Sequence, residues 1–244
     1  RMFADDRGWI SRISEVIASG LTAEAAVQKV HDDTRVRMMQ VGDPILRGKA
    51  RQVTVDEMRS REMQELIRAM RQKMHDTTGV GLAAPQVGVP LQLVVLEDAL
   101  AANLSPERQD LLERYPLSFQ VVANPILEVT ESEQILGFEG CLSIDGHLPA
   151  EDRYRAIVSR FRAVRVTGLN ENGDPVSINA RGWHALILQH EIDHLNGTLF
   201  VDRMVTRSLT TARNIERFWK DLPVAQVLEA IGGRTLPGVD SGMA

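Results

Sequence analysis

His190-Glu191-Ile192-Asp193-His194, inside the stretch LILQHEIDHLNG (residues 186–197), places two imidazoles four residues apart with a carboxylate directly after the first. Four residues advance an α-helix by about 6 Å and slightly more than one turn, so the two histidines share a face. Both rings can then reach one metal ion, and Glu191 stands close enough to handle the proton of a water on that metal. Trp183, Leu186, Ile187, Leu188, Ile192 and Leu195 are apolar nearly all round such a helix, which predicts a buried element. Asn196-Gly197 marks its end. Two imidazoles and a carboxylate are costly to bury without partners, which weighs against their being incidental core residues.

Two histidines do not complete a metal site. In the longer pattern H-E-x-x-H-x-x-G-x-x-H, Gly197 falls on the glycine, but the last position holds Phe200, which cannot bind metal. A Glu from a later helix is another arrangement, and Glu216 lies at a plausible separation. Cys141, the one cysteine of the sequence, is the remaining candidate. A thiolate with two imidazoles leaves a fourth position open for water, as catalytic sites require, and on ligand chemistry alone the metal reads as zinc. A single cysteine makes no intramolecular disulfide and favours a reducing compartment.

The elements that must hold these groups can be read from the rest of the chain. With 244 residues, 43% apolar and 25% charged, it has globular composition and enough length for one core plus extensions. A net charge of −5 without a long basic run argues against nucleic-acid binding, and no apolar run approaches a membrane span. The opening RMFADDRGWISRISEV has neither a signal-peptide apolar core nor the acid-poor character of a transit peptide.

Residues 9–33 read as two short helices, and Asp43-Pro44 as a turn. Thr54 and Glu57 form a capping box opening a helix with Met63, Leu66, Ile67, Met70 and Met74 on its core face. Strands are expected at LQLVVLE, FQVVANPILEV, RAVRVTG and PVSINA, the last two joined by a hairpin at Asn172-Gly173. Residues 99–118 read as an inserted, helix-compatible surface loop, TTARNIERFWKDL as a C-terminal helix, and the tail from Gly232 as mobile. Hairpin strands without alternating helices predict an α+β fold, with antiparallel or mixed sheets around the central helix. The expected division is an N-terminal helical extension over 1–34, a catalytic domain over 35–222 and a tail over 223–244.

Three segments, GVGLAAPQ (79–86), EGCLS (139–143) and QHEIDHLNG (189–197), occur in this order. Together they resemble the signature motifs of the peptide deformylase family, and the resemblance extends over roughly residues 35–210, including VGDPILR. It implies a hydrolase that removes the formyl group from the N-terminal formyl-methionine of new polypeptides and releases formate. It further implies Cys141, His190 and His194 as metal ligands, with ferrous iron native, nickel or cobalt as active substitutes and zinc less active. Glu191 would serve as general base and acid, and the Gln86 amide and the Leu142 backbone N–H would stabilise the oxyanion. Val80, Gly81 and Gly140 would line the peptide cleft. Trp183 and Leu186, two turns and one turn before His190, stand either in the wall of a methionine pocket or in the core. Nascent chains near the ribosome are the implied partners, the cytoplasm the expected location and an organelle matrix the alternative.

The chain also departs from the family. After EGCLS it runs IDGHLPAEDRYRAIVSRF, with Asp145 where a proline is usual, and the family's substrate-contacting arginine is not assignable among Arg153, Arg155 and Arg160. The stretch ARGWHALILQHEIDHLNG with the following LFVDRM looks closer to organelle-type and actinobacterial members than to the shortest bacterial ones. A zinc endopeptidase using Glu216 and a non-catalytic binding protein are the competing readings.

Overall fold

Leu93-Val94-Val95-Leu96 shows no polar alternation, as expected of a strand covered on both faces. In the computed structural model, which describes residues 37–146, 148–232 and 239–240, all four are fully buried in a central strand. The main elements run α1 (Arg61–Asp76), β1 (Gly81–Ala83), β2 (Leu93–Asp98), α2 (Pro106–Leu112), β3 (Leu117–Glu139), β4 (Tyr154–Leu169), β5 (Pro175–Arg181), α3 (Trp183–Leu195) and α4 (Val224–Ala230). The strands form an antiparallel meander in the order β1-β2-β3-β4-β5. The fold is α+β.

The pleat of β2 sends alternate side chains to two separate cores. Leu93 and Val95 pack with the α1 stripe of Met63, Leu66, Ile67, Met70 and Met74. Val94 and Leu96 pack with Ala185, Ile187, Leu188 and Leu195 of α3, joined by Val164 and Val166 of β4. The helix carrying the two histidines is therefore enclosed, as its apolar sequence predicts.

Local signals fare unevenly. The Thr54–Glu57 capping box is present, but it opens only the turn Val55–Met58, and Ser60 caps α1 anew. The Asn170–Asp174 loop joins β4 to β5, with Asn170 Oδ1 accepting from the N–H groups of Asn172 and Asp174. β3 and β4 run far beyond the apolar segments that mark them, because the polar stretch TESEQ pairs with β4 while facing solvent.

C-terminal helical structure is present, as expected, with a course the sequence did not indicate. TTARNIERFWKDL is a helical turn at Ala212–Asn214 running into a π-helical turn at Ile215–Trp219. No residue of these two turns is fully buried, and Trp219 with the following Leu222 gives the segment its partly buried contact with the neighbouring core. The ordered helix is α4, inside the expected tail, where Val224, Val227 and Leu228 pack on Leu136 of β3 and Ile157 of β4. The helices expected over 9–33 lie outside the described residues.

Leu228 is fully buried. Leu228→Ala should therefore cost roughly 2–4 kcal/mol in denaturant unfolding. A loss below ~0.5 kcal/mol would show that α4 only rests on the surface.

Candidate metal centre and substrate cavity

On α3 the His190 and His194 rings stand 5.0 Å apart between centroids and nearly perpendicular, at 74°. Glu139 Oε2 lies 3.0 Å from His190 Nδ1, which leaves Nε2 free to bind metal. His194 Nε2 lies 3.2 Å from Cys141 Sγ. One ligand atom from each of Cys141, His190 and His194 lies within 4.8 Å of the others, the only such cluster among the described residues. A thiol and two imidazoles converging on one point fit a four-coordinate metal with one open position. Glu216, the rival ligand, is exposed and paired with Lys220 at 2.9 Å. Phe200 is buried with its ring stacked 6.4 Å from that of His190, so it walls the site without binding.

Behind the ligands lies a chain of buried charge. Arg160 donates to both oxygens of Glu139, at 2.7 and 2.9 Å, and to Asp193 Oδ2 at 2.5 Å. Asp193 also accepts two bonds from Arg203. Burial alone would raise the Glu139 pKa, but the bonds from Arg160 and His190 outweigh it and lower the value to about 2. Arg160 is thereby removed from the candidates for substrate contact, whereas Arg153 and Arg155 line the cavity. The sequence assigns no role to Glu139 or Asp193 and offers Arg160 only as a substrate contact; the position of Glu139 inside EGCLS was the available signal.

Glu191 is treated oppositely. Its Oε2 is buried without a hydrogen-bond partner, and burial pushes its pKa up to about 7. Gly81 makes room for it: a Cβ there would sit 2.4 Å from Glu191 Oε1. Gln86 is held with its amide in one sense, because Ala83 N–H donates to Oε1 at 2.8 Å. Its Nε2 therefore faces the cluster, 3.5 Å from Cys141 Sγ and 3.3 Å from Ser143 Oγ. Leu142 opens the helical turn Leu142–Asp145, so its N–H has no acceptor within that turn. Residues 39–41, ahead of α1, tie these pieces together, Met39 N–H donating to Gln86 O and Val41 N–H to Ser143 O, both at 2.7 Å.

A cavity of about 240 Å³ opens onto the cluster. Val80, Gly81, Gln86, Gly140, Leu142, Trp183, Leu186 and Glu191 all line it, together with Cys141 and His190. His194 lies behind, fully buried. The expected ligands Cys141 and His190, Glu191, both expected oxyanion donors and the expected cleft residues thus border one small volume, with His194 directly behind it.

The family model described as polypeptide deformylase matches residues 36–209; a second, described as the N-terminal part of a PEP-utilising enzyme, matches residues 1–49. A peptide deformylase 1A, chloroplastic/mitochondrial, from Arabidopsis thaliana is 42% identical over 193 residues, covering 78% of this chain and 67% of that protein. The mitochondrial peptide deformylase of Homo sapiens is 42% identical over 173 residues, covering 70% and 68%. The Met-Ala-Ser-bound class I type b peptide deformylase of Acinetobacter baumannii superposes with a TM-score of 0.58 at 34% identity, covering 69% of this chain and 98% of that one. This chain belongs to the polypeptide deformylase family, the metal-dependent hydrolases that remove the N-formyl group from newly made polypeptides.

Proposed function

We propose that this chain performs that hydrolysis with Cys141, His190 and His194 as metal ligands, Glu191 as proton carrier, and Gln86 and the Leu142 N–H as oxyanion donors. The observation that carries the reading is the convergence of three ligand atoms within 4.8 Å beside a cavity that also exposes Glu191 and Gln86. The resemblance to the family supports ferrous iron as the native metal. A thiolate ligand makes such a site sensitive to oxidation.

A divalent metal bound there supplies Lewis acidity, lowering the pKa of water and polarising a carbonyl. Glu191, buried and with a pKa near neutrality, takes the proton of the attacking water and returns it to the leaving nitrogen. Gln86 Nε2, fixed by Ala83, and the Leu142 N–H donate to the oxygen that becomes negative at the formyl carbon, each worth a few kcal/mol. The C–N bond breaks, giving formate and a free amine. Val80, Gly81 and Gly140 flank the extended peptide, and the methionine side chain enters between Trp183 and Leu186. The Met-Ala-Ser ligand of the Acinetobacter relative is the product of such a reaction.

Formylated chains emerge from ribosomes, so the reading includes transient proximity to them, with no nucleic-acid binding of the chain's own. We place it in a bacterial cytoplasm. An organelle matrix is the alternative, because two of the compared relatives are organellar.

Formate release from a formyl-Met peptide, followed anaerobically, tests the assignment of metal. Protein loaded with iron or nickel should turn over faster than protein loaded with zinc; equal rates would overturn the iron assignment. Glu191→Gln keeps size but not basicity, so kcat should fall ~10²–10⁴-fold while metal stoichiometry stays at wild type. A fully metallated variant with normal kcat would remove Glu191 from proton transfer. Glu139→Gln weakens the support of His190, and chelator competition should show metal affinity lower by roughly 10–100-fold. Unchanged affinity would show that Glu139 does not tune the ligand.

A further inference from the structure

We infer that Arg114, on the segment joining β2 to β3, determines which first side chain the cavity accepts. The inference rests on the reading that this cavity takes the side chain of the formylated residue. Trp183, Leu186 and His190 stand at i, i+3 and i+7 of α3, so they form a stripe leading toward the ligands, roughly 10 Å long on the helix axis. An unbranched side chain of methionine length can lie along it.

Trp183 is the first residue of α3, and its placement is imposed from outside the helix. Its backbone N–H donates to Glu113 O at 3.2 Å, and its Nε1 donates to Asp98 Oδ2 at 3.0 Å. The Arg114 guanidinium covers the indole at 4.6 Å from the ring centroid. Asp98 is fully buried and accepts from Arg114 Nε at 2.7 Å, from Arg114 Nη2 at 3.3 Å and from Ala101 N–H at 3.2 Å. Glu113 is itself gripped by Arg162 and Arg181. It also sits so close to Gly182, whose φ is +56°, that a Cβ there would lie 2.2 Å from Glu113 Cβ.

Arg114 borders the same cavity as Trp183 and Leu186. It cannot swing aside without leaving the buried Asp98 carboxylate with no counter-ion, only the Trp183 and Ala101 N–H donors, which is unfavourable. The flat cation and the indole beneath it therefore act as one rigid wall. A flexible thioether can pass along such a wall, whereas a broad aromatic ring must displace it. The segment read from the sequence as a surface insertion is thus a specificity element of the pocket.

The test compares kcat/KM for formyl-Met-Ala-Ser and formyl-Phe-Ala-Ser, with calorimetric Kd values for the product peptides Met-Ala-Ser and Phe-Ala-Ser. Arg114→Ala opens the wall; Arg114→Lys keeps a cation for Asp98 but loses the planar stack, and it carries the test should the Ala variant not fold. The Met-to-Phe preference should narrow at least about tenfold, on the scale of small changes in an apolar pocket, and mainly through KM and product Kd. A preference unchanged within about twofold in folded Arg114→Lys would overturn the role of Arg114. Leu186→Phe fills the middle of the cavity and separates the two readings. It should raise KM for formyl-Met-Ala-Ser, and an unaffected KM would mean that the parent reading of the cavity fails, whatever Arg114 does.

Discussion

Arg160 lies on β4 with almost no exposure, and its guanidinium joins three elements through two buried carboxylates. Through Glu139 it holds the end of β3, two residues before Cys141; through Asp193 it holds α3, three residues after His190. Glu139 in turn orients the His190 ring. The relative position of thiol and imidazoles is therefore set by a cation that touches none of them. Without it, two buried carboxylates would repel each other across the site. Losing one member of such a buried set typically costs about 3–5 kcal/mol.

The same network explains why two carboxylates a few ångströms from the ligands behave differently. Glu139 is surrounded by donors and held ionised, with a pKa of about 2. Glu191 faces the cavity across from a glycine and has no donor on Oε2, so burial dominates and its pKa is about 7. One environment makes a fixed anion that positions a ligand; the other makes a group able to gain and lose a proton. Pairs of titratable groups driven apart in this way are what acid–base chemistry at neutral pH requires.

Much of the site was legible because its chemistry is local. The i, i+4 histidines, the intervening Glu191, the apolar faces of α3 and the α1 methionine stripe follow from helical periodicity alone. The closeness of Cys141 to His194, 53 residues later, is not local; its residue type and the company of the other motifs pointed to it. What stayed hidden depends on long-range register. Glu139 meets Arg160 because β3 and β4 pair from Ala123 to Glu139, and the polar stretch TESEQ interrupts the apolar pattern midway along that ladder. The segment at 99–118 reads as surface because its residues are polar, yet Glu113 and Arg114 spend that polarity on fixing the first turn of α3. Val224, Val227 and Leu228 do show helical spacing, a signal outweighed by the expectation of a tail.

Cys141 must ligate the metal beside the two histidines for this site to work as a hydrolase centre. X-ray absorption at the metal edge of anaerobically loaded protein measures this directly. One sulfur scatterer at about 2.3 Å with two nitrogen scatterers near 2.1 Å is the predicted first shell, on the distances typical of zinc-loaded sites. A shell of nitrogen and oxygen with no sulfur would contradict it.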